Sequence, residues 1–218
     1  MQLLAFTGCR DLPGIVGHVR AHAQTPAVVY ADVNDPQGLA LLTFSTDPAD
    51  FVSRTRPLVL EGPIADLTPR PEMTMFGRSY SLGYERDLED TLVHRPARNA
   101  LNVDLPWAVW YPLRRKGSFE KLSPDEQKNI LKQHGTIGFA FSGTGLATDI
   151  RLACHGLDAH DNDFVIGLIG KELTVLSQLV QTMRGTDQTS TYLDKLGPFF
   201  VGKAVYQSAS PAQNESPE

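Results

Sequence analysis

Cysteine is scarce in this chain, with Cys9 and Cys154 alone among 218 residues. Neither stands in a C-x-x-C spacing, so a thiolate metal site and a disulfide framework are both excluded, and a reducing compartment, the cytoplasm, is expected. Basic blocks are equally sparse. Lys and Arg number 20 against 25 Asp and Glu, a net charge of −5, and no cluster stands out beyond Arg114-Arg115-Lys116. That balance argues against a nucleic-acid partner and leaves the triplet as a local anion site or a solvated turn. No apolar run approaches the length that spans a bilayer, so no membrane partner is expected. Residues 1–6 are too short, and lack the basic flank, for a secretory leader. What remains is an ordinary globular composition, 41 % hydrophobic and 21 % charged, on a chain long enough for one large domain or two small ones.

The chain repeats one order of elements, β-α-β-β-α-β, the split arrangement of ferredoxin-like folds. In the first half, residues 3–7 form an apolar strand, 11–22 a weak helix, and 27–33 a strand rich in β-branched residues. Asn34-Asp35-Pro36-Gln37-Gly38 is a turn signal. A strand at 39–44 follows, then a helix opened by Thr46-Asp47-Pro48 and running to Arg56, and a strand around 75–84 closes the unit. In the second half, 107–113 is a strand, and Ser123-Pro124-Asp125-Glu126 is a capping box with proline at the first helical position. Strands at 149–153 and 164–169 and an amphipathic helix at 171–184, striped by Leu173, Leu176, Val180 and Met183, come next. Residues 199–206 close the sheet. The expected fold class is α+β: two ferredoxin-like repeats, residues 1–95 and 96–207, packed face to face as a dimeric α+β barrel with a cavity to one side. Residues 208–218 read as a disordered tail.

Ile130, Leu131 and His134 share one face of the capped helix. A histidine there is an ordinary core residue or a neutral imidazole held on a rigid element for a metal. His18 and His22 form an i,i+4 pair with no third ligand in sight. Tyr111 on its strand reads as a core residue, and Arg184, late in its helix, as a cation favourable to the helix dipole.

Taken in order, Trp110-Tyr111-Pro112-Leu113-Arg114-Arg115, the capped helix reaching His134-Gly135, Met183-Arg184, and Gly197-Pro198-Phe199-Phe200-Val201-Gly202 resemble the chlorite dismutase superfamily of haem proteins. Within it they look most like the coproheme decarboxylases, and the likeness covers residues 96–206 best. The resemblance implies His134 as iron ligand, on a helix that ends in His-Gly. It implies Tyr111 as the phenol that carries the radical to a propionate. Arg115 stands where decarboxylases often carry lysine; a guanidinium also holds a carboxylate, and holds it bidentately. Arg98, Arg184 and Thr189 or Ser190 would anchor further propionates. The implied cofactor is coproheme or haem b, the oxidant hydrogen peroxide, and the assembly a homo-oligomer such as a pentamer.

The pattern breaks in two places. The distal arginine of dismutases falls on Ala147, or on Asp149 if two residues are inserted, and neither can stabilise an anionic oxychlorine species. Arg151 is near, but only a strand slip would turn it inward, with Asp149 following. Ile169-Gly170 stands where dismutases place the glutamate that orients the proximal imidazole. By the resemblance decarboxylases carry glutamine or histidine at the distal position, so Ala147 departs from them as well. Oxidative decarboxylation of coproheme is the leading expectation. Chlorite dismutase or haem peroxidase activity is the second, and a non-catalytic haem-binding or sensing module the third.

Overall fold

The β-branched and aromatic runs of the chain join into one antiparallel sheet. The computed structural model describes residues 1–81, 83 and 85–209. Its first half holds β1 (Gln2–Thr7), α1 (Leu12–His22), β2 (Ala27–Asp32), β3 (Leu39–Thr43) and α2 (Arg56–Leu60). The short strands β4 (Thr68–Pro69), β5 (Met75–Phe76) and β6 (Arg78–Ser79) and the helix α3 (Arg95–Ala100) lead to the second half. There β7 (Trp107–Arg115), α4 (Gly117–Glu120), α5 (Pro124–Gly143), β8 (Ala147–Ala153) and β9 (Phe164–Gly170) are followed by α6 (Leu173–Arg184), α7 (Asp187–Tyr192), β10 (Leu193–Leu196) and β11 (Phe200–Gln207). Among the described residues no helix is long and apolar enough to cross a membrane.

The strands lie in the order β4-β1-β3-β2-β11-β7-β9-β8-β6, with β10 also on β7 and β5 also on β1. The α+β class holds as expected, but the halves join edge to edge in one sheet and not as two sheets meeting face to face. Strand β11 joins them, pairing with β2 on one side and β7 on the other. Between β5 and β6, Gly77 carries the chain from the β1 edge to the β8 edge. A Cβ there would lie 2.8 Å from the Leu152 Cβ and 2.9 Å from the Ala153 carbonyl oxygen, so only glycine passes. The sheet therefore curls into a barrel, and its inner face is one shared core with Tyr30, Trp110 and Phe200 at the centre. Each outer face has its own cover. Ile15 and Val19 of α1 and Leu58 of α2 close the first half, while Leu176 and Leu179 of α6 close the second.

Three local expectations change. The strand expected at 75–84 shrinks to β5 and β6, and Leu82 and Tyr84 lie outside the described residues, as do residues 210–218 of the expected tail. The helix expected from Thr46 starts only at Phe51, as a π-helical turn to Thr55 ahead of α2. The Asp47 carboxylate accepts from the Ala49 N–H at 2.9 Å, and such Asx turns compete with helix. Helix α5 does begin at the predicted box, since Ser123 and Glu126 cap each other across Pro124. It does not stop at His134-Gly135. It runs on to Gly143, 20 residues in all, because Ile137 and Phe141, one turn apart, still rest on the outer core. No residue of α5 is fully buried, and Phe139 is 71 % exposed.

Candidate functional site

Strand alternation decides which residues face α5 and α6. On β7 these are Val109, Tyr111 and Leu113, while Ala108 and Trp110 point into the barrel. On β9 they are Phe164, Ile166 and Leu168. On β8, Ala147 packs on this outer face whereas Ile150 and Leu152 point inward, so Asp149 and Arg151 share the face of Ala147. Arg151 thus stands across Ile166 from Tyr111 with no strand slip, its Nε 3.1 Å from the Asp149 carboxylate.

Tyr111 is 6 % exposed and stacks on Phe199, ring centroids 4.8 Å apart. Burial pushes its phenol well above the ordinary tyrosine range, and the Asp149 charge adds to the shift. Opposite it, the His134 Nδ1 lies 3.1 Å from the hydroxyl oxygen of Thr186, the residue that caps α7. Burial, helped by the Arg115 cation, lowers the His134 pKa to about 4. The imidazole is therefore neutral at pH 7, the state a metal ligand requires.

Tyr111, Leu113, His134, Arg184, Gln188 and Thr189 line one small cavity of about 20 Å³, closed on its other sides by Val180, Met183, Leu193 and Leu196. Tyr111, His134, Arg184 and Thr189, separated by up to 78 positions in the chain, thus converge here. Arg115 follows them on the same strand face. Its guanidinium lies between the Phe119 and Phe164 rings, 4.6 Å from each, and its buried Nε has no hydrogen-bond partner among the described residues. The cation thus sits in an apolar slot with that donor unspent.

Other expected residues stand elsewhere. Arg98 is paired with Asp90 at 2.6 Å, and α3 abuts β8 through Asn99 and Thr148, away from the cavity. The exposed Ser190 donates to the Thr186 carbonyl at 2.9 Å and does not line the cavity, whereas its neighbour Thr189 does. Ala147, 3 % exposed, lies under α5 and offers no polar group. His18 and His22 are spent on the Leu58 and His18 carbonyls at 3.0 Å each. Ile169 points into the barrel, and a Cβ on Gly170 would lie 2.7 Å from Leu176 Cδ2, so neither position can send a carboxylate to His134. Among the described residues no group of three His, Cys, Asp or Glu side chains is arranged to hold a metal. The partner of His134 that residue reasoning missed is Thr186. Thr186-Asp187 carries the signature of a helix cap, which announces α7 but not the histidine it meets.

The buried imidazole implies a pH dependence. Unfolded, His134 titrates near 6.5; folded, near 4. Its contribution is complete above pH 6.5, and as pH falls toward about 4 the unfolded chain takes up a proton that the folded chain refuses. Stability of the cofactor-free protein then declines by about 1.4 kcal/mol per pH unit. Urea midpoints at pH 7 and pH 5 should show the loss, and His134→Gln should flatten it.

The family model described as chlorite dismutase matches residues 43–205. The chain belongs to the chlorite dismutase family. Solved structures agree in fold. A heme-binding protein from Thermus thermophilus superposes with a TM-score of 0.73 at 17 % identity, covering 94 % of this chain and 91 % of that one. A mutant chlorite dismutase from Candidatus Nitrospira defluvii gives 0.69 at 14 % identity, and a further mutant in complex with cyanide gives 0.67 at 15 %; each covers 94 % of this chain and 90 % of its own. The chlorite dismutase fold accounts for the curled sheet, with α5 and α6 lying over its outer face.

Proposed function

We propose that this chlorite dismutase family member binds haem on the outer face of its second half and oxidatively decarboxylates iron-coproporphyrin III toward haem b. One observation carries the reading: the neutral His134 imidazole and the buried Tyr111 phenol meet at one cavity, beside the cations Arg184 and Arg115. The chemistry of these groups fits a carboxylated iron porphyrin. His134 would hold the iron, Arg184, Arg115 and Thr189 the carboxylates, and Leu113, Val180 and Met183 the ring. The room does not yet fit. A cavity of about 20 Å³ admits one water, while ligand sites usually span roughly 300–1,000 Å³. Helix α5, which buries none of its residues fully, is the wall able to give way. Arg98 and Ser190 are not needed for this arrangement.

Each propionate that becomes a vinyl group loses CO2 and two electrons, and hydrogen peroxide accepts the electrons and leaves as two waters. Bound iron supplies the reaction with peroxide. The protein supplies Tyr111 to pass an electron from the propionate, in an apolar setting that keeps bulk water away. Assembly as a homo-oligomer, a pentamer by family likeness, belongs to the same proposal.

A Soret titration of the cofactor-free protein with coproheme and haem b, beside His134→Ala, tests it. The expected result is stoichiometric coproheme binding that the variant loses by at least the 10–100-fold that separates a held metal from a poorly held one. A preference for haem b would favour a peroxidase or a sensing module. Equal binding by His134→Ala would remove the ligand assignment.

The placement of Arg151 favours a second reading, peroxidase or chlorite chemistry, because it puts a guanidinium on the sheet face opposite His134. The Asp149 carboxylate 3.1 Å away offsets its charge. Oxygen release from chlorite, read with an electrode, should accordingly be small; rapid release would make this the better reading.

A further inference from the structure

The ring of His134 is held by a hydroxyl, and that hydroxyl has a single proton to place. The Thr186 Oγ1 is 2.8 Å from the Met183 carbonyl oxygen, which can only accept, and 3.3 Å from the Thr189 Oγ1, which has a proton of its own; the shorter contact, to the pure acceptor, is where we place the proton of Thr186. The same oxygen accepts from the Thr189 N–H at 3.4 Å and faces the His134 Nδ1 at 3.1 Å. Its remaining role toward the ring is acceptance, so Nδ1 carries the imidazole proton and the lone pair lies on Nε2. Thr186 is 5 % exposed, so water does not compete for this contact. The neighbouring residues reinforce it. The Gln133 amide donates to Asp187 at 2.7 Å and accepts from the Asp187 N–H at 3.2 Å, which fixes α5 against the start of α7 in the register His134 needs. Asp187, the carboxylate nearest in sequence, is thereby turned to Gln133 and not to the ring.

We propose that Thr186 is the positioning residue of His134, fixing the Nδ1–H tautomer and giving the imidazole a neutral acceptor in place of a carboxylate. The metal-side consequences rest on the haem reading above; the tautomer is a property of the cofactor-free chain. A carboxylate acceptor draws the Nδ1 proton and makes Nε2 a stronger donor, whereas a hydroxyl does so weakly. The bound iron would therefore be less electron-rich and its bond to His134 weaker than with a carboxylate behind the ring.

Thr186→Val removes the hydroxyl at nearly constant shape, and Thr186→Ser keeps it. Thr186→Asp keeps a helix-capping side chain but makes the acceptor anionic. In the cofactor-free protein, imidazole nitrogen NMR should show His134 protonated on Nδ1 in the wild type and Thr186→Ser, and no longer so in Thr186→Val. With coproheme bound, the ferrous iron–histidine stretch should fall in Thr186→Val, return in Thr186→Ser and rise above wild type in Thr186→Asp. Coproheme affinity should fall 10–100-fold in Thr186→Val. If Thr186 is only the cap of α7, Thr186→Val will melt lower while tautomer and stretch stay put, and the proposal is overturned. An Nε2-protonated His134 in the wild type overturns it as well, whatever the haem titration shows. Loss of the haem reading with the tautomer intact would leave Thr186 as the residue that orients His134 for another use.

Discussion

Replacing Tyr111 by phenylalanine is expected to stop CO2 release from coproheme while leaving coproheme binding largely in place. The phenol is 6 % exposed and packed flat on Phe199, and burial holds it protonated far above neutral pH. Giving up an electron therefore also means giving up that proton. Asp149, whose charge reaches the phenol, is the carboxylate on the same face of the sheet. Phenylalanine keeps the stacked ring and the apolar volume, so the fold and the cavity wall survive. What disappears is the one phenol among the described residues that line the cavity. Binding should weaken by at most about tenfold, the worth of a single uncharged hydrogen bond of ~1.4 kcal/mol. Single-turnover assays with peroxide, following CO2 and vinyl products, separate the two effects. Unchanged turnover in Tyr111→Phe would remove the radical role and return Tyr111 to the core.

Local chemistry makes much of this legible. The Ser123 to Glu126 box starts α5 because its groups satisfy each other within four residues, and the stripe of α6 lies on the outer core because period 3.6 leaves no other solution. The convergence of Tyr111, His134 and Arg184 is legible only through resemblance, since nothing local relates residues on three different elements. Two misreadings have one origin, a glycine. Gly135 reads as a helix stop, yet a mid-helix glycine costs only about 1 kcal/mol, and the packing of Ile137 and Phe141 outweighs it. The strand expected around 75–84 runs straight through Gly77, yet Gly77 is the crossing point at which the sheet closes. Arg151 escapes a sequence reading because the face it takes depends on where β8 begins after α5, and Gly135 hides the true length of α5. Thr186 carries a cap signal and nothing that points to a histidine 52 positions away.

Gly167→Ala should be among the most damaging single-methyl additions to this protein. Gly167 of β9 lies opposite Trp110 of β7 in register, and the indole folds flat over it. A Cβ at Gly167 would sit 2.5 Å from Cη2 and Cζ3 of that ring and 2.7 Å from Cε3. Trp110 has no room to retreat, since it is wholly buried at the centre of the barrel core. Overpacking of this kind costs about 3 kcal/mol or more, which for a chain of this size lowers the melting temperature by roughly 6–12 °C. The effect should reach the site, because any shift of Trp110 drags the next residue, Tyr111, off Phe199. Coproheme affinity should fall with stability in Gly167→Ala. The cause is checked by a double-mutant cycle. Trp110→Leu destabilises by itself through the space it leaves, but in that background the added methyl finds room, and Gly167→Ala should cost less than about 1 kcal/mol. Additive losses would show that the close approach of ring and backbone is not what requires glycine here.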